Sequence, residues 1–387
     1  MAPVTALSRD AVGVDRPPVR IVHLGLGNFQ RAHQAWCTER AADRTDWGIA
    51  GFTVRSGGLA ERLTAQDGLY SLIERGPATD DVSVIGSLVE AHPGDSPRFT
   101  ELLAAPATAV VTLTITEAGY RLDDRAPLAL SRLVMGLEAR RMARSGPIAI
   151  VSCDNLPANG AATRAAVLGL ATALDRSLAG WIDEMVSFVS TSVDRITPHL
   201  TEAELAGLRM ASGWEDAAPV VTEPFADWVL QGDFPAGRPQ WQSAGARFVD
   251  DVEPFERRKL WLLNGAHTIL AASGPGRGHE TVAAAFADPS CAALVTGFWD
   301  EAERHLTGAG LDIPAYLAQL RQRFANPRIA HRLTDIADQA PTKVRVRLLP
   351  VLLAERAAGR SGAATRRALA DAPELLAILT AATEGTP

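Results

Sequence analysis

The stretch Val19-Arg-Ile-Val-His-Leu-Gly-Leu-Gly27 decides the fold of this 387-residue chain. A short apolar run breaks into Gly25-Leu-Gly27, and a helical pattern follows over residues 30–42. Strand, glycine turn and helix open a dinucleotide-binding βαβ unit, in which the first glycine permits the tight turn and the second lets backbone amides approach a pyrophosphate. Gln30 stands where the third glycine of that fingerprint is expected. This turn alone therefore does not identify a dinucleotide-binding unit, and the rest of the sequence has to be considered.

Further strand-like runs follow at the spacing of an α/β protein, over residues 47–54, 82–88, 109–116, 148–152 and 186–192. Helical patterns separate several of them, over residues 59–65, 97–103 and 128–143. The strands are apolar without alternation, which is typical of parallel strands buried on both faces. The sequence therefore predicts an α/β fold, a Rossmann-like and mostly parallel sheet with helices on both sides.

The pattern changes after this region. Residues 214–249 are irregular and rich in Pro, Gly and Trp, which indicates a connecting region that packs back on the first domain. Helical patterns then dominate, and they cover residues 259–270, 280–287, 292–306, 313–324, 340–357 and 365–382. We predict a loose leader over residues 1–18, a Rossmann-like domain over 19–250 and an α-helical domain over 251–387.

Composition limits the function classes. The length is comfortable for two domains. The net charge of −7 argues against nucleic acid or an anionic membrane surface as the main partner. The three cysteines form no metal-ligand spacing and no disulfide framework, and there is no secretory signal, so we expect a reducing cytoplasm. No apolar run is long enough to span a membrane. These features argue against a nucleic-acid or membrane partner and leave the oligomeric state open.

Polar residues follow the carboxyl ends of the predicted strands, where ligands bind in such sheets. The relevant positions are Asn28, Glu117, Asn155, Asn159 and Asp194. Any one of them could be turn chemistry, and a structural ion pair of Asp194 with Arg195 is an alternative for that position. The second strand ends in Thr53-Val54-Arg55-Ser56 without a carboxylate, so the choice between NAD and NADP stays open.

A second polar cluster lies on the apolar stretch Lys259-Leu-Trp-Leu-Leu-Asn264-Gly-Ala-His267. If this stretch is one regular α-helix, His267 lies roughly 80° and Asn264 roughly 140° around the axis from Lys259. Two interpretations are open for this polar stripe. Either the lysine reaches water and the other two cap backbone groups, or the stripe faces a functional site.

With these motifs in hand, the chain resembles the mannitol dehydrogenase family of polyol-specific long-chain dehydrogenases over roughly residues 20–355. The carriers are HLGLGNFQRAHQAW (23–36), AQDGLY (65–70), TITEAGY (114–120), CDNLPANG (153–160), SVDRITP (192–198), TEPFADWV (222–229), KLWLLNGAH (259–267), RFANPRIAHRL (323–333) and KVRVRLLP (343–350). The chain departs from the family pattern at Gln30, usually aromatic or His, and at Cys37, usually Tyr. It is also shorter than the best-known members.

The resemblance implies a Rossmann-like domain, a helical domain and a nicotinamide-dependent site between them, with NAD(H) or NADP(H) as cofactor and no metal. Lys259 matches the catalytic lysine, and Asn155 and Asn264 match the carboxamides that flank the reacting oxygen. The substrate-side residues would be Asp194, His267 and Arg347. The cofactor-side residues would be Gly25, Gly27, Asn28, Phe29, Arg55 and Glu117.

Oxidation of a secondary alcohol needs a base for the hydroxyl proton, and a lysine can serve if its pKa falls towards neutrality. The resemblance implies a small-molecule substrate, and the predicted function is interconversion of a linear polyol and its ketose, of the mannitol–fructose type. One alternative is a hexuronate reductase of the fructuronate–mannonate type, whose substrate carboxylate would need a cation such as Lys343, Arg345 or Arg347. The other alternative is a non-catalytic nucleotide-binding sensor.

Overall fold

The computed structural model describes residues 5–54, 57–120 and 128–384. The chain forms two compact units. The first contains Met1–Arg75 and Asp80–Val252, and the second contains Gly76–Thr79 and Glu253–Pro387.

An eight-stranded sheet and a three-stranded sheet organise the first unit. The strands are β1 (Val19–Leu24), β2 (Gly48–Phe52), β3 (Tyr70–Arg75), β4 (Asp80–Ile85), β5 (Leu88–His92), β6 (Val110–Leu113), β7 (Ile148–Ser152), β8 (Val186–Asp194), β9 (Val220–Thr222), β10 (Asp227–Gln231) and β11 (Arg247–Phe248). The large sheet has the order β11-β10-β8-β7-β6-β1-β2-β5, and the small one has the order β4-β3-β9. The large sheet is parallel except where β10 runs antiparallel to β8.

Helices cover both faces of the large sheet. The helices of the first unit are α1 (Arg9–Val12), α2 (Asn28–Gln30), α3 (Trp36–Glu39), α4 (Gly58–Ala65), α5 (Arg98–Ala104), α6 (Leu128–Ala143), α7 (Asn159–Leu174), α8 (Arg176–Met185) and α9 (Glu202–Leu208). A π-helical segment, π1 (Arg31–Ala35), joins α2 to α3, and 3-10 turns lie at Arg44–Asp46, Glu117–Tyr120 and Trp241–Ala244. Successive residues of one strand enter different apolar clusters, Ile21 on one face and Val22 on the other. The predicted α/β fold, with a mostly parallel sheet buried on both faces, is confirmed.

The second unit is helical throughout its regular part. Its elements are α10 (Glu253–Arg258), a second π-helical segment π2 (Lys259–Gly265), α11 (Ala266–Ser273), α12 (Val282–Ala287), α13 (Pro289–Ala302), α14 (Ile313–Phe324), α15 (Leu333–Ala337), α16 (Ala340–Arg347), α17 (Leu349–Ala357), α18 (Ala363–Arg367) and α19 (Pro373–Glu384), with 3-10 turns at Pro275–Arg277 and Glu303–His305. Within the described ranges, no helix has the length and apolar character needed to cross a membrane.

Several local predictions were wrong. Residues 5–18 are not a loose leader, because Leu7 is buried and the Arg9 guanidinium donates to the carbonyls of Gly86 and Leu88 at 2.6 and 2.9 Å. The region 214–249 packs back on the first unit as predicted, but it was wrong to expect only a connection there, since the region supplies β9, β10 and β11. The helix predicted over 340–357 is two helices that meet at Leu348, where Pro350 follows and offers no N–H to continue the first.

Candidate active site

The turn after β1 lies at the point where the strand order reverses, between β1 and β6. Gly25 has φ 110°, and a Cβ there would lie 2.1 Å from the carbonyl oxygen of Thr114, so this position requires glycine. The amides of Gly25 and Leu26 donate to the carbonyl oxygen of Phe52, at 2.8 and 2.9 Å. At Gly27 a Cβ would meet only the Gly25 carbonyl oxygen, at 3.6 Å. The turn is therefore rigid at its first glycine and approachable at its second, as a phosphate cradle requires.

The residues after this turn are held by Arg31, which is buried. Its Nη2 donates to Asn28 Oδ1 at 2.7 Å, its Nε to the Gly27 carbonyl at 3.3 Å, and its Nη1 to the Ala218 carbonyl. Burial lowers the pKa of Arg31 to about 10, so it remains a cation at neutral pH. Phe29 stacks on His33, with ring centroids 5.2 Å apart. The Asn28 side chain thus fixes the turn, and a cofactor contact from Asn28 or Phe29 stays a prediction.

Asp154 organises the segments after β6 and β7. Its buried carboxylate accepts from the amides of Ile115 and Thr116, at 3.1 and 2.7 Å, and from the Tyr120 hydroxyl at 2.6 Å. Burial raises the pKa of Asp154, which these three donors oppose. Thr116 has φ 68°, a left-handed conformation that its bond to Asp154 stabilises. The sequence contains this residue in the CDNLPANG motif, but its clamping role was missed.

The two asparagines of that motif have different surroundings. Asn159 is fully buried, and its Nδ2 donates to the carbonyls of Asp154 and Thr191 at 3.0 and 2.8 Å while its Oδ1 accepts from the Thr191 amide at 2.9 Å. It fastens the loop after β7 to β8. Asn155, in contrast, is exposed. The turn-shaping hydrogen bonds shown here belong to Asn159, and a ligand contact from the exposed Asn155 stays a prediction.

Asp194 ends β8 and is 3% exposed, paired in register with Asp227 of β10. Its neighbour Arg195 forms an ion pair with Glu74 and donates to the carbonyls of Ala32 and Glu223, at 2.6 and 3.1 Å. Arg195 is therefore structural, as the sequence suggested, and Glu74 is its carboxylate partner. Of the other predicted cofactor residues, Arg55 and the side chain of Glu117 lie outside the described residues.

In the second unit, Lys259 begins the π-helical segment π2. A regular α-helix was expected from Lys259 to His267. That expectation is wrong as far as Gly265, and the α-helix α11 starts only at Ala266. A π-helix bonds residue i to i+5, so each residue turns less than the about 100° of an α-helix. Asn264 follows Lys259 by five residues. The angle between the two residues around the helix axis is therefore smaller than the angle expected for a regular α-helix. Segments of this kind occur frequently at functional sites.

Within the segment Lys259–His267, two side chains present buried polar atoms without a hydrogen-bond partner among the described residues. They are Asn264 Nδ2 and His267 Nε2, on side chains that are 8% and 6% exposed as whole residues. Lys259 is half-buried. A buried polar atom left unpaired typically costs about 1–3 kcal/mol, so such atoms indicate where a ligand supplies the missing partner.

The His267 ring lies against Phe324 and His331, with centroids 4.9 and 4.7 Å away. Burial lowers the pKa of His267 well below its ordinary value, and the neighbouring cationic groups lower it further; in decreasing order they are His331, Arg323, Arg347 and Lys259. His267 is therefore neutral at pH 7 and can both donate and accept a hydrogen bond. His331, whose pKa burial lowers to about 4, was missed. The only signal for it was its place in RFANPRIAHRL.

Arg347 also belongs to this region, as predicted from the C-terminal motif. Its Nη1 donates to the Asn264 carbonyl oxygen at 3.2 Å and to Thr268 Oγ1 at 3.1 Å, and its Nε is buried without a partner among the described residues. Lys343 donates to the carbonyl of Ile336 at 2.9 Å, and Arg345 is exposed. The second unit thus brings together Asn264, His267 and Arg347. No group of three His, Cys, Asp or Glu residues in the described part is arranged to hold a metal ion.

Comparison with known proteins identifies the family. Residues 19–243 match the model of the mannitol dehydrogenase Rossmann domain, and residues 251–370 match that of the mannitol dehydrogenase C-terminal domain. The chain belongs to the mannitol dehydrogenase family. The resemblance predicted from the motifs is confirmed.

Relatives in this family include two bacterial enzymes. D-mannonate oxidoreductase of Escherichia coli K12 is 39% identical over 365 residues, which cover 86% of this chain and 75% of the relative. Mannitol 2-dehydrogenase of Cereibacter sphaeroides is 35% identical over 367 residues, which cover 88% and 77%. Among solved structures, the Pseudomonas fluorescens mannitol 2-dehydrogenase complex with NAD and D-mannitol has a TM-score of 0.83 at 34% identity, covering 96% of this chain and 81% of its own. A substrate-free D-sorbitol dehydrogenase has a TM-score of 0.86 at 30% identity, covering 97% and 83%.

Proposed function

We propose that this protein is an NAD(P)-dependent oxidoreductase that interconverts a secondary alcohol and a ketone on a linear polyol or sugar acid. The observation that carries the proposal is a pair of buried atoms on the segment that begins at Lys259. Asn264 Nδ2 and His267 Nε2 have no hydrogen-bond partner in the part of the chain that the structure describes. The named relatives support the reaction class, since they are a mannitol 2-dehydrogenase and a D-mannonate oxidoreductase. The Gly25–Gly27 turn fits the pyrophosphate of such a cofactor. When bound, the nicotinamide would accept or return the hydride.

In this proposal Lys259 is the general acid and base. During oxidation its neutral amine takes the hydroxyl proton while the C–H bond breaks and the carbonyl forms; during reduction its ammonium returns that proton to the alkoxide oxygen. Only two of the chain's 38 lysine and arginine residues are lysines, Lys259 and Lys343. Arginine cannot exchange a proton near neutral pH, whereas an amine can. The presence of a lysine at position 259 is consistent with this role.

The other proposed roles concern charge and hydroxyl groups of the substrate. Asn264 Nδ2 donates to the oxygen on which negative charge develops, and Asn155 is proposed as the second amide donor. Removal of one such donor costs roughly 3 kcal/mol of barrier in comparable sites. His267, neutral and buried, holds a substrate hydroxyl, and Asp194 is proposed for another. No metal ion is needed in this scheme, because the amides and the lysine stabilise the alkoxide.

Two substrate classes compete within this function. The first is the mannitol–fructose type. The second is the fructuronate–mannonate type, and the charges around His267 favour it, because Arg323, Arg347 and Lys259 all lower its pKa. Positive charge around a site attracts a substrate that carries a carboxylate. A non-catalytic sensor is the third possibility, against which stands the retention of Lys259, Asn155, Asn264 and His267.

The test is a substrate panel with both cofactors. Fructose, fructuronate, tagaturonate and xylulose are each incubated with NADH and with NADPH, and oxidation is followed by cofactor absorbance. We expect turnover of at least one ketose or ketouronate, with the ketouronates faster. Turnover of fructose alone would assign the substrate to the neutral, mannitol–fructose class. Absence of turnover on all four would contradict the proposal and favour the sensor.

A further inference from the structure

Arg132 lies at the carboxyl edge of the large sheet, where the first unit would bind the adenosine of a cofactor. Helices of a parallel α/β unit run opposite to the strands, so the first turns of α6 lie near the carboxyl ends of those strands. Arg132 is the fifth residue of α6. A Cβ built on Gly94, which follows β5, would lie 2.4 Å from Arg132 Nη1 and 2.1 Å from the carbonyl oxygen of Thr53, which follows β2. The guanidinium therefore contacts the ends of both strands.

Polar groups at this position are left without partners. Arg132 Nη1 and Thr53 Oγ1 are both buried and lack a hydrogen-bond partner among the described residues. Arg132 as a whole residue is only partly buried, so a ligand can reach the rest of its side chain. A buried guanidinium nitrogen that lacks a hydrogen-bond partner among the described residues is unfavourable in the free protein.

The other two arginines of α6 show that this arrangement is unusual. Arg140 donates to five backbone carbonyls, those of Leu103, Ala105, Ser145, Gly146 and Pro147. Arg141 forms an ion pair with Glu138, with N–O distances of 2.6 and 2.7 Å. Arg132 has neither kind of partner within the described ranges. A ligand with oxygen atoms is the simplest group that would complete it.

We propose that Arg132 binds the 2′-phosphate of an NADP(H) adenosine. The inference rests on the proposed function, because it assumes a nicotinamide dinucleotide. In this fold the end of β2 faces the adenosine ribose, where a carboxylate selects NAD and a cation accommodates the 2′-phosphate of NADP. From Thr53 onward the sequence has no carboxylate until Glu61. The guanidinium of Arg132, on α6, would then make the site prefer a cofactor that carries a 2′-phosphate over one that does not.

The experiment compares two cofactor fragments by calorimetry, adenosine 2′,5′-bisphosphate and 5′-AMP, so that no turnover is needed. The variants are Arg132→Gln and Arg132→Lys, and Arg141→Gln on the same helix is the matched control. Thermal melting checks that each variant is folded. Charge-assisted hydrogen bonds of this kind change affinity by about 10-fold or more.

We expect the unaltered protein to bind the bisphosphate at least about 10-fold more tightly than 5′-AMP. Arg132→Gln should abolish that difference without weakening 5′-AMP, Arg132→Lys should keep part of it, and Arg141→Gln should keep all of it. Equal affinity for the two fragments in the unaltered protein, or equal weakening of both by Arg132→Gln, would overturn the inference and indicate contact with the base or a packing role. Binding of neither fragment would overturn the proposed function as well.

Discussion

Arg347 donates from Nη1 to the backbone carbonyl oxygen of Asn264 at 3.2 Å, and the same nitrogen donates to Thr268 Oγ1 at 3.1 Å. A carbonyl near the end of a π-helical segment departs from the regular α-helical bonding pattern, and the guanidinium provides it with a donor. Burial lowers the pKa of Arg347 to about 10, so the group keeps its charge at neutral pH. One residue therefore supports the backbone that carries Asn264 and adds positive charge beside His267.

We predict that Arg347→Lys lowers kcat/KM at least about 10-fold, because an ammonium cannot reproduce the planar set of donors. The loss should be larger for a ketouronate than for a ketose if the charge also meets the substrate carboxylate. The matched control is Arg345→Lys, on the same helix and exposed, which should leave both rates unchanged. Equal small effects from the two substitutions would contradict the role of Arg347.

Gly265 allows the close packing of the π segment on α13. A Cβ there would lie 2.6 Å from Phe298 Cε1, and Phe298 is fully buried. Gly265→Ala should destabilise the protein by about 1–3 kcal/mol, because a methyl group inserted into a packed core forces its neighbours to move. Urea denaturation measures this change. Gly276→Ala, where no atom lies within 4 Å of the added Cβ, serves as the control and should change stability little. Unchanged stability of Gly265→Ala would show that this packing is loose.

Stability should fall in mild acid because of His23. Its ring nitrogens contact the hydroxyls of Thr112 and Thr114, at 2.7 and 3.0 Å, and burial lowers its pKa to about 3. The unfolded chain takes up a proton near pH 6.5 while the folded protein does not, so the contribution is complete above pH 6.5 and is lost as pH falls below it. At pH 5 the loss is about 2 kcal/mol from this residue.

Urea denaturation at pH 7 and pH 5 tests this prediction. His23→Asn should reduce the difference in unfolding free energy between the two pH values, even if it lowers stability at both. His267 and His331, also buried and with lowered pKa values, leave a residual pH dependence. Replacement of the exposed His199 by Asn is the control and should not alter it. An unchanged pH dependence in His23→Asn would contradict the prediction.

Much of the first unit could be predicted because its strands are continuous apolar runs broken by glycine and polar turns. Residues 148–152 and 128–143 are a strand and a helix with the predicted bounds. The strands β9 to β11 were missed because they are short and lie between segments rich in Pro and Gly. They are held by pairing with distant segments, as Trp228 of β10 pairs with Val193 of β8. Such pairing leaves no local pattern.

The candidate site was predictable as a set of motifs but not in its local geometry. Nothing in the apolar pattern around Lys259 indicates a π segment, since that bonding differs from an α-helix by one residue per turn and depends on tertiary contacts. Asp154 and His331 lie within recognised motifs, yet their roles depend on partners 34 or more residues away, as in the contact of Asp154 with Tyr120. Arg132 lies in no motif. It is distinguished only because its buried Nη1 has no hydrogen-bond partner among the described residues.

The most direct test of the account is the effect of Lys259→Ala on turnover and its rescue by added amines. General acid–base catalysis contributes about 10²–10⁴-fold, so the variant should lose that much of kcat while still binding the dinucleotide. Methylamine and ethylamine should restore part of the rate, and the restored rate in the oxidative direction should rise with the fraction of neutral amine. Unchanged turnover in Lys259→Ala would contradict the assignment, as would a loss that no amine restores and that is matched by lost cofactor binding.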